Sequence, residues 1–200
     1  MRSAQCAVRG AECAVRGARG AVRGILAPMG TRVLTTVEEY LQTQFEGSDC
    51  DYVDGEVVAR HMGELPHAIL QARLAYLLMH LAQPLHLQVL TEIRVQVLPT
   101  RFRVADLAVW RPGDIGTRIP TVAPFLVVEI LSPEDRVVRL QPKIREYLTC
   151  GVEFVWVVDP DERRALCYTP SDPGGALVDD LRTSNPDLHI PLAELFAALK

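Results

Sequence analysis

Apolar positions along this chain change period several times, and each change predicts an element. Between Pro66 and Pro84, Leu70, Leu74, Leu77, Leu78 and Leu81 recur every three or four residues. That spacing predicts the longest helix, with Pro66 in its first turn, where a missing N–H leaves no partner unsatisfied. Over residues 87–97 the period falls to two. Val89, Thr91, Ile93, Val95 and Val97 alternate with the mostly polar Gln88, Leu90, Glu92, Arg94 and Gln96, as in a half-buried strand with Glu92 on its solvent side. Pro99-Thr100-Arg101 then turns the chain into residues 102–110 as an antiparallel partner. Residues 102–110 and 125–133 are different in kind: their apolar runs do not alternate, which is the pattern of strands covered on both faces. Each run nevertheless holds one acid, Asp106 in Val-Ala-Asp-Leu-Ala-Val and Glu129 in Phe-Leu-Val-Val-Glu-Ile-Leu-Ser-Pro. A buried, unpaired carboxylate is costly, so both positions demand compensating groups.

Shorter signals fill the intervals. Thr36-Val37-Glu38-Glu39 fits a capping box opening a short helix, and Asp54-Gly55 between Asp51-Tyr52-Val53 and Glu56-Val57-Val58 fits a hairpin turn, with Glu56 directly after it. Ser132-Pro133-Glu134-Asp135 reads as a helix start. Pro142 cannot donate inside a helix, so a kink or a fresh start is expected there. Beyond it Lys143 and Tyr147 stand four residues apart on one face. Gly151 ends the helix, residues 152–159 form a buried strand containing Trp156, and residues 164–168 form a last strand. Residues 170–175 read as a loop, and a short terminal helix begins at Pro191.

Composition narrows the class. With 48% hydrophobic residues the chain is globular, and no apolar run approaches the roughly 20 residues of a membrane span, so a cytoplasmic protein without membrane contact is expected. Five scattered cysteines without a C-x-x-C pair read as reduced thiols. Ala-Val-Arg-Gly recurs at 7–10, 14–17 and 21–24, and residues 1–30 read as a disordered basic extension ahead of a single domain over residues 31–200. The first 28 residues hold five Arg and one Glu, so the rest of the chain carries 16 basic and 24 acidic groups, a net charge of −8 against −4 overall. Binding to nucleic acid would therefore rest on a local site and a metal ion rather than on a basic surface.

Asp106 and Glu129 on neighbouring strands, with Lys143 at the head of a helix, make a place to hold a divalent ion against a phosphate. The motifs carrying these residues also resemble a known family. Thr-Thr-Val-Glu-Glu-Tyr, Tyr-Val-Asp-Gly-Glu, the His67 helix, Ala-Asp-Leu-Ala-Val, Val-Val-Glu-Ile-Leu-Ser-Pro, Lys143 with Tyr147, and Gly-Val-Glu-Phe-Val-Trp-Val-Val-Asp-Pro follow, in order, the pattern of the Uma-type restriction endonucleases over residues 34–195. That family is similar to the PD-(D/E)XK nuclease superfamily. The resemblance implies a mixed α+β fold: a restriction-endonuclease-like mixed sheet flanked by helices, with an added N-terminal hairpin.

It implies a metal-dependent endonuclease that hydrolyses phosphodiester bonds of nucleic acid, with DNA as the expected substrate and Mg²⁺ as the ion, Mn²⁺ being the alternative. Asp106, Glu129, Lys143, Glu56 and His67 match the family's catalytic positions. Asp106, Glu129 and Glu56 are the expected metal ligands, completed by the backbone carbonyl of Ile130. Leu131 stands where the superfamily's common lysine would be, Ala105 where the motif has proline, and Pro142 directly before the displaced Lys143. His67 has an alternative reading as a packing residue. A nuclease-like domain that binds DNA or protein without cutting stays open as the other class. The alternating edge strand over residues 87–97 suggests pairing of two copies into a homodimer.

Overall fold

The computed structural model describes residues 15–16, 34–46, 48–60, 63–116, 119–132 and 140–199. The N-terminal extension lies outside them, except that β1 (Val15–Arg16) pairs antiparallel with β2 (Gln44–Phe45). The expected helix start at 133–135 also lies outside them. Helix α1 (Val37–Gln42) carries the capping box in full: Glu39 N–H donates to Thr36 Oγ1 at 3.2 Å and Thr36 N–H to Glu39 Oε2 at 2.8 Å.

Strands β3 (Asp51–Val53) and β4 (Glu56–Val58) form the expected hairpin. Asp54 and Gly55 both take positive φ, +49° and +96°, as a two-residue turn matching strand twist requires. Helix α2 (Leu65–Ala82) buries Leu70, Leu74, Leu78 and Ala82. A 3₁₀ turn, Gln83–Leu85, then delivers the chain into the long hairpin β5 (Gln88–Leu98) and β6 (Arg101–Trp110). After β7 (Leu126–Ile130) comes α3 (Leu140–Cys150), and then β8 (Phe154–Asp159), parallel to β7. Pro142 is the third residue of α3 as described, so its missing N–H breaks no helical hydrogen bond within the described span.

Strand β9 (Arg164–Thr169) follows, and the stretch expected to be a loop begins another strand, β10 (Asp172–Val178), which pairs with β9 through an irregular register despite Pro173, Gly174 and Gly175. Strands β11 (Asp180–Arg182) and β12 (His189–Pro191) make a small ladder, and α4 (Leu192–Phe196) closes the described chain.

The main sheet runs β10-β9-β8-β7-β6-β3-β4, with β5 on the other edge of β6, and is mostly antiparallel. Its two faces carry separate cores. Leu70, Leu74 and Leu78 of α2 pack with Leu107, Val109, Leu126, Val128, Trp156 and the α4 residues Leu195 and Phe196. Ile144 and Tyr147 of α3 pack with Ala105, Ala108, Val127, Val155 and Val157 on the opposite face. This is the mixed α+β architecture expected from the sequence, a sheet flanked by helices with the β3–β4 hairpin added. Among the described residues no helix is long and apolar enough to cross a membrane.

The β5–β6 hairpin is irregular at two facing positions. Face alternation along β6 breaks at Asp106, since Ala105 and Ala108 share one core while Leu107 and Val109 belong to the other. Opposite it, Glu92 sits in the left-handed region at φ +50°, and the register passes from Thr91↔Leu107 to Ile93↔Ala105.

Candidate active site

One edge of β6 is shared by two strands that do not meet. β3 pairs with its start, at Arg101 and Phe102, and β7 with its end, from Leu107 to Val109. Between them side chains serve the exposed backbone, as buried polar groups require. Val104 N–H donates to Asp51 Oδ1 at 2.8 Å, and Lys143 Nζ donates to the Val104 carbonyl at 2.9 Å. Asp51 is fixed in turn by Arg103, which also bonds Glu146. A cavity of about 680 Å³ opens at this break, and Arg60, His67, Glu92, Asp106, Glu129 and Lys143 line it.

Both strand acids are buried, Asp106 at 2% and Glu129 at 6% exposure. Asp106 Oδ1 accepts from Arg60 Nη2 at 2.5 Å; its Oδ2 accepts from Ile130 N–H at 2.7 Å and lies 3.3 Å from His67 Nε2. Glu129 Oε2 accepts from Lys143 Nζ and Oε1 from the Tyr147 hydroxyl, each at 2.8 Å. Lys143 and Tyr147 are one helical turn apart, so α3 presents both to one carboxylate. His67 and Gln71 stand in the same relation on α2. Gln71 Nε2 donates to the Asp106 carbonyl at 3.2 Å and to Glu92 Oε1 at 2.6 Å, while Arg60 Nη1 pairs with Glu92 Oε2.

A family model described as "Putative restriction endonuclease", Uma2, matches residues 37–197. The chain belongs to the Uma2 family. Among solved structures, a "putative nuclease belonging to DUF820 from Anabaena variabilis ATCC 29413" is similar to this Uma2 chain, with a TM-score of 0.72 and 22% identity over 82% of this chain and 99% of that one. At that identity the likeness is one of fold. No curated protein matches the chain.

The sequence-expected residues of this Uma2 protein divide accordingly. Asp106, Glu129, Lys143, His67 and Ile130 meet at the cavity, Ile130 through its N–H to Asp106. Glu56 does not line it. The reason is the direction of the hairpin: its turn lies against the β5–β6 turn, where Asp54 N–H donates to the Thr100 carbonyl, and Glu56 stays at that end. The opposite end of the hairpin brings Asp51, Val58 and Arg60 to the cavity. Glu92 is exposed, as expected of the solvent side, and its side chain also lines the cavity, at a point where its left-handed backbone breaks the alternation. Arg60, Gln71 and Glu92 were missed by sequence reasoning. Only Gln71 carried a legible signal, its place one turn after His67.

The two acids have opposite electrostatics. Burial alone would raise the Asp106 carboxyl, but the His67 hydrogen bond, Arg60 and Lys143 hold it below its ordinary value of 3.8. Burial pushes Glu129 up from 4.5 to about 7 against the pull of Lys143, with Asp106 adding to the rise. Burial by itself would lower the His67 pKa, but the hydrogen bond to Asp106 together with the charges of Asp106 and Glu92 raises it above 6.5. A buried pair of carboxyl groups with pKa values driven apart, beside a lysine and a histidine, is suited to proton handling at a charged substrate.

The donors available to a metal are hard oxygens, the kind Mg²⁺ and Mn²⁺ take. Among the described residues no three His, Cys, Asp or Glu side chains stand as a ready ligand group. A guanidinium already bridges Asp106 and Glu92, however, so the cavity carries a cation where the carboxylates converge. The donor atoms are thus of the kind a divalent ion takes, with Arg60 already standing between two of the carboxylates.

Proposed function

We propose that this Uma2 protein is a metal-dependent endonuclease acting on phosphodiester bonds of DNA. One observation carries the reading: Lys143 Nζ lies 2.8 Å from Glu129 Oε2 and Asp106 stands on the adjoining strand, all three facing one cavity. Asp106 and Glu129 would hold a divalent ion, with the Ile130 carbonyl beside them. Such an ion supplies charge neutralisation at the phosphate and makes water acidic enough to be a nucleophile at neutral pH.

The protein's own groups account for the rest. Lys143, anchored by Glu129 and by the Val104 carbonyl, holds a positive charge at the cavity wall, where negative charge develops on the phosphate. His67, with its raised pKa, holds a proton on the cavity side of Asp106 and can pass it to a departing oxygen. Two copies acting together would cut both strands in one encounter. The 11-residue β5, whose ladder among the described residues is with β6 alone, offers an edge for pairing them.

A second reading has a specific observation in its favour. Each carboxylate oxygen of Asp106 and Glu129 is engaged by a protein donor, as in a nuclease-like module that binds nucleic acid or protein without cutting it. Calorimetric titration with Mg²⁺ and Mn²⁺ on the wild type and Asp106→Ala, followed by cleavage assays on plasmid and single-stranded DNA and on RNA, separates the two. Metal-dependent cleavage lost in Asp106→Ala supports the enzyme. Binding of nucleic acid with no cleavage at saturating metal supports the module.

A further inference from the structure

Beside Asp49, Asp51 and Arg103, the cavity is lined by the carboxylates of Asp106, Glu129 and Glu92 and by the cationic side chains of Lys143, His67 and Arg60. Lys143 has a further anchor, the Val104 carbonyl at 2.9 Å, as well as Glu129, and His67 meets a single acid, Asp106. Arg60 differs in joining two acids: among the described residues the hydrogen bonds of its guanidinium go to carboxylates alone, Nη2 to Asp106 Oδ1 and Nη1 to Glu92 Oε2. It thus stands between the two acids as a divalent ion would.

Glu92 holds this position with a left-handed backbone in mid-strand, a conformation that non-glycine residues adopt at a cost in free energy. Gln71 holds the other oxygen, Oε1, at 2.6 Å, so Glu92 stays at the cavity whether or not Arg60 is present.

We propose that Arg60 is an internal counter-cation filling the divalent-ion position of the metal-free site, and that a divalent ion enters by displacing it, taking Glu92 together with Asp106 as ligands. This rests on the metal-dependent reading above. Glu92 then takes the place that the family resemblance gave to Glu56, and occupancy depends on competition between the ion and a tethered guanidinium. A binding-competent state that is only fractionally populated weakens apparent affinity by that fraction, so the guanidinium sets a threshold of metal concentration for loading.

The test is calorimetric titration of the metal-stripped full chain with Mn²⁺, using wild type, Arg60→Gln and Glu92→Gln. The glutamine keeps hydrogen-bonding capacity at position 60 and removes the charge. Arg60→Gln is expected to bind Mn²⁺ about tenfold or more tightly, and Glu92→Gln about tenfold or more weakly, than wild type. In parallel, wild-type protein is labelled with phenylglyoxal with and without saturating Mn²⁺, and modification of Arg60 is mapped by mass spectrometry. Faster labelling of Arg60 with Mn²⁺ bound is expected; this arm decides the matter even where Arg60→Gln does not fold.

Wild-type binding of Mn²⁺ with no gain in Arg60→Gln and no rise in Arg60 labelling overturns the counter-cation and leaves the metal-dependent reading standing. Unchanged affinity in Glu92→Gln removes Glu92 as a ligand. Absence of Mn²⁺ binding in wild type and Arg60→Gln alike overturns the metal-dependent reading, and this inference with it.

Discussion

Lys143 Nζ donates to Glu129 Oε2 at 2.8 Å, from the first turns of α3 to the middle of β7, and both groups are almost fully shielded from water. Breaking a buried pair leaves an uncompensated charge, which is more damaging than never having had the pair. For Lys143→Ala the remaining acid has an escape, because Glu129 already sits near pKa 7 and can take a proton. Lys143→Ala is therefore expected to cost on the order of 3 kcal/mol at pH 8 and clearly less at pH 5. Urea unfolding at the two pH values measures the difference, and an equal loss at both would show that the lysine contributes by packing alone. Cleavage by the same variant is expected to fall by about two orders of magnitude or more at saturating metal.

The pH dependence of stability carries a sign that identifies Glu129. Its folded pKa is raised, so between about 4.5 and about 7 the folded state holds a proton that the unfolded state has released. Stability contributed by this group is therefore present below its ordinary pKa and declines as pH rises to about 7, by roughly 1 to 3 kcal/mol in metal-free protein. His67, also raised, has the same sign: its contribution is full below its ordinary 6.5 and is lost as pH climbs through the folded value. Subtracting the Glu129→Gln profile from the wild-type profile isolates the glutamate. A difference that is flat from pH 4.5 to 7 would rule out a buried, proton-holding Glu129.

Asp106 is expected to act in the opposite direction. Its folded pKa is lowered, so its contribution is present above the ordinary 3.8 and disappears only as pH falls through the lower folded value. Asp106→Asn should consequently destabilise the metal-free protein at neutral pH, by about 3 kcal/mol, because Arg60 and His67 lose their charged partner. Denaturant melts at pH 7 check this. A neutral or stabilising effect would mean that the site is electrostatically frustrated without a metal.

Gly63 controls the histidine by space. A Cβ built there would come 2.6 Å from His67 Nδ1, closer than real side chains approach. Gly63→Ala is expected to push the ring off Asp106 and to return the His67 pKa toward 6.5, read by NMR titration of the imidazole, at a stability cost of about 1 kcal/mol. An unshifted titration curve would show that the loop yields and the ring does not.

Much of this protein was legible in the linear pattern wherever a signal is local. The capping box at Thr36, the Asp54-Gly55 hairpin and the leucine face of α2 depend on neighbours within a turn or two, and each formed as its spacing dictates. The one-turn spacing of Lys143 and Tyr147 likewise put both on Glu129, and the apolar runs around Asp106 and Glu129 made two central, buried strands. Tertiary structure decided which further groups answer those acids. Arg60 reaches Glu92 and Asp106 across 32 and 46 residues of chain, a convergence set by the direction of the β3–β4 hairpin and unmarked in the local sequence. That same direction keeps Glu56 at the far end, while Glu92, exposed as alternation assigns it, also lines the cavity where its left-handed backbone breaks that alternation. Periodicity reports which face a residue shows its own element; the charges that meet in a cavity are chosen by how the elements cross.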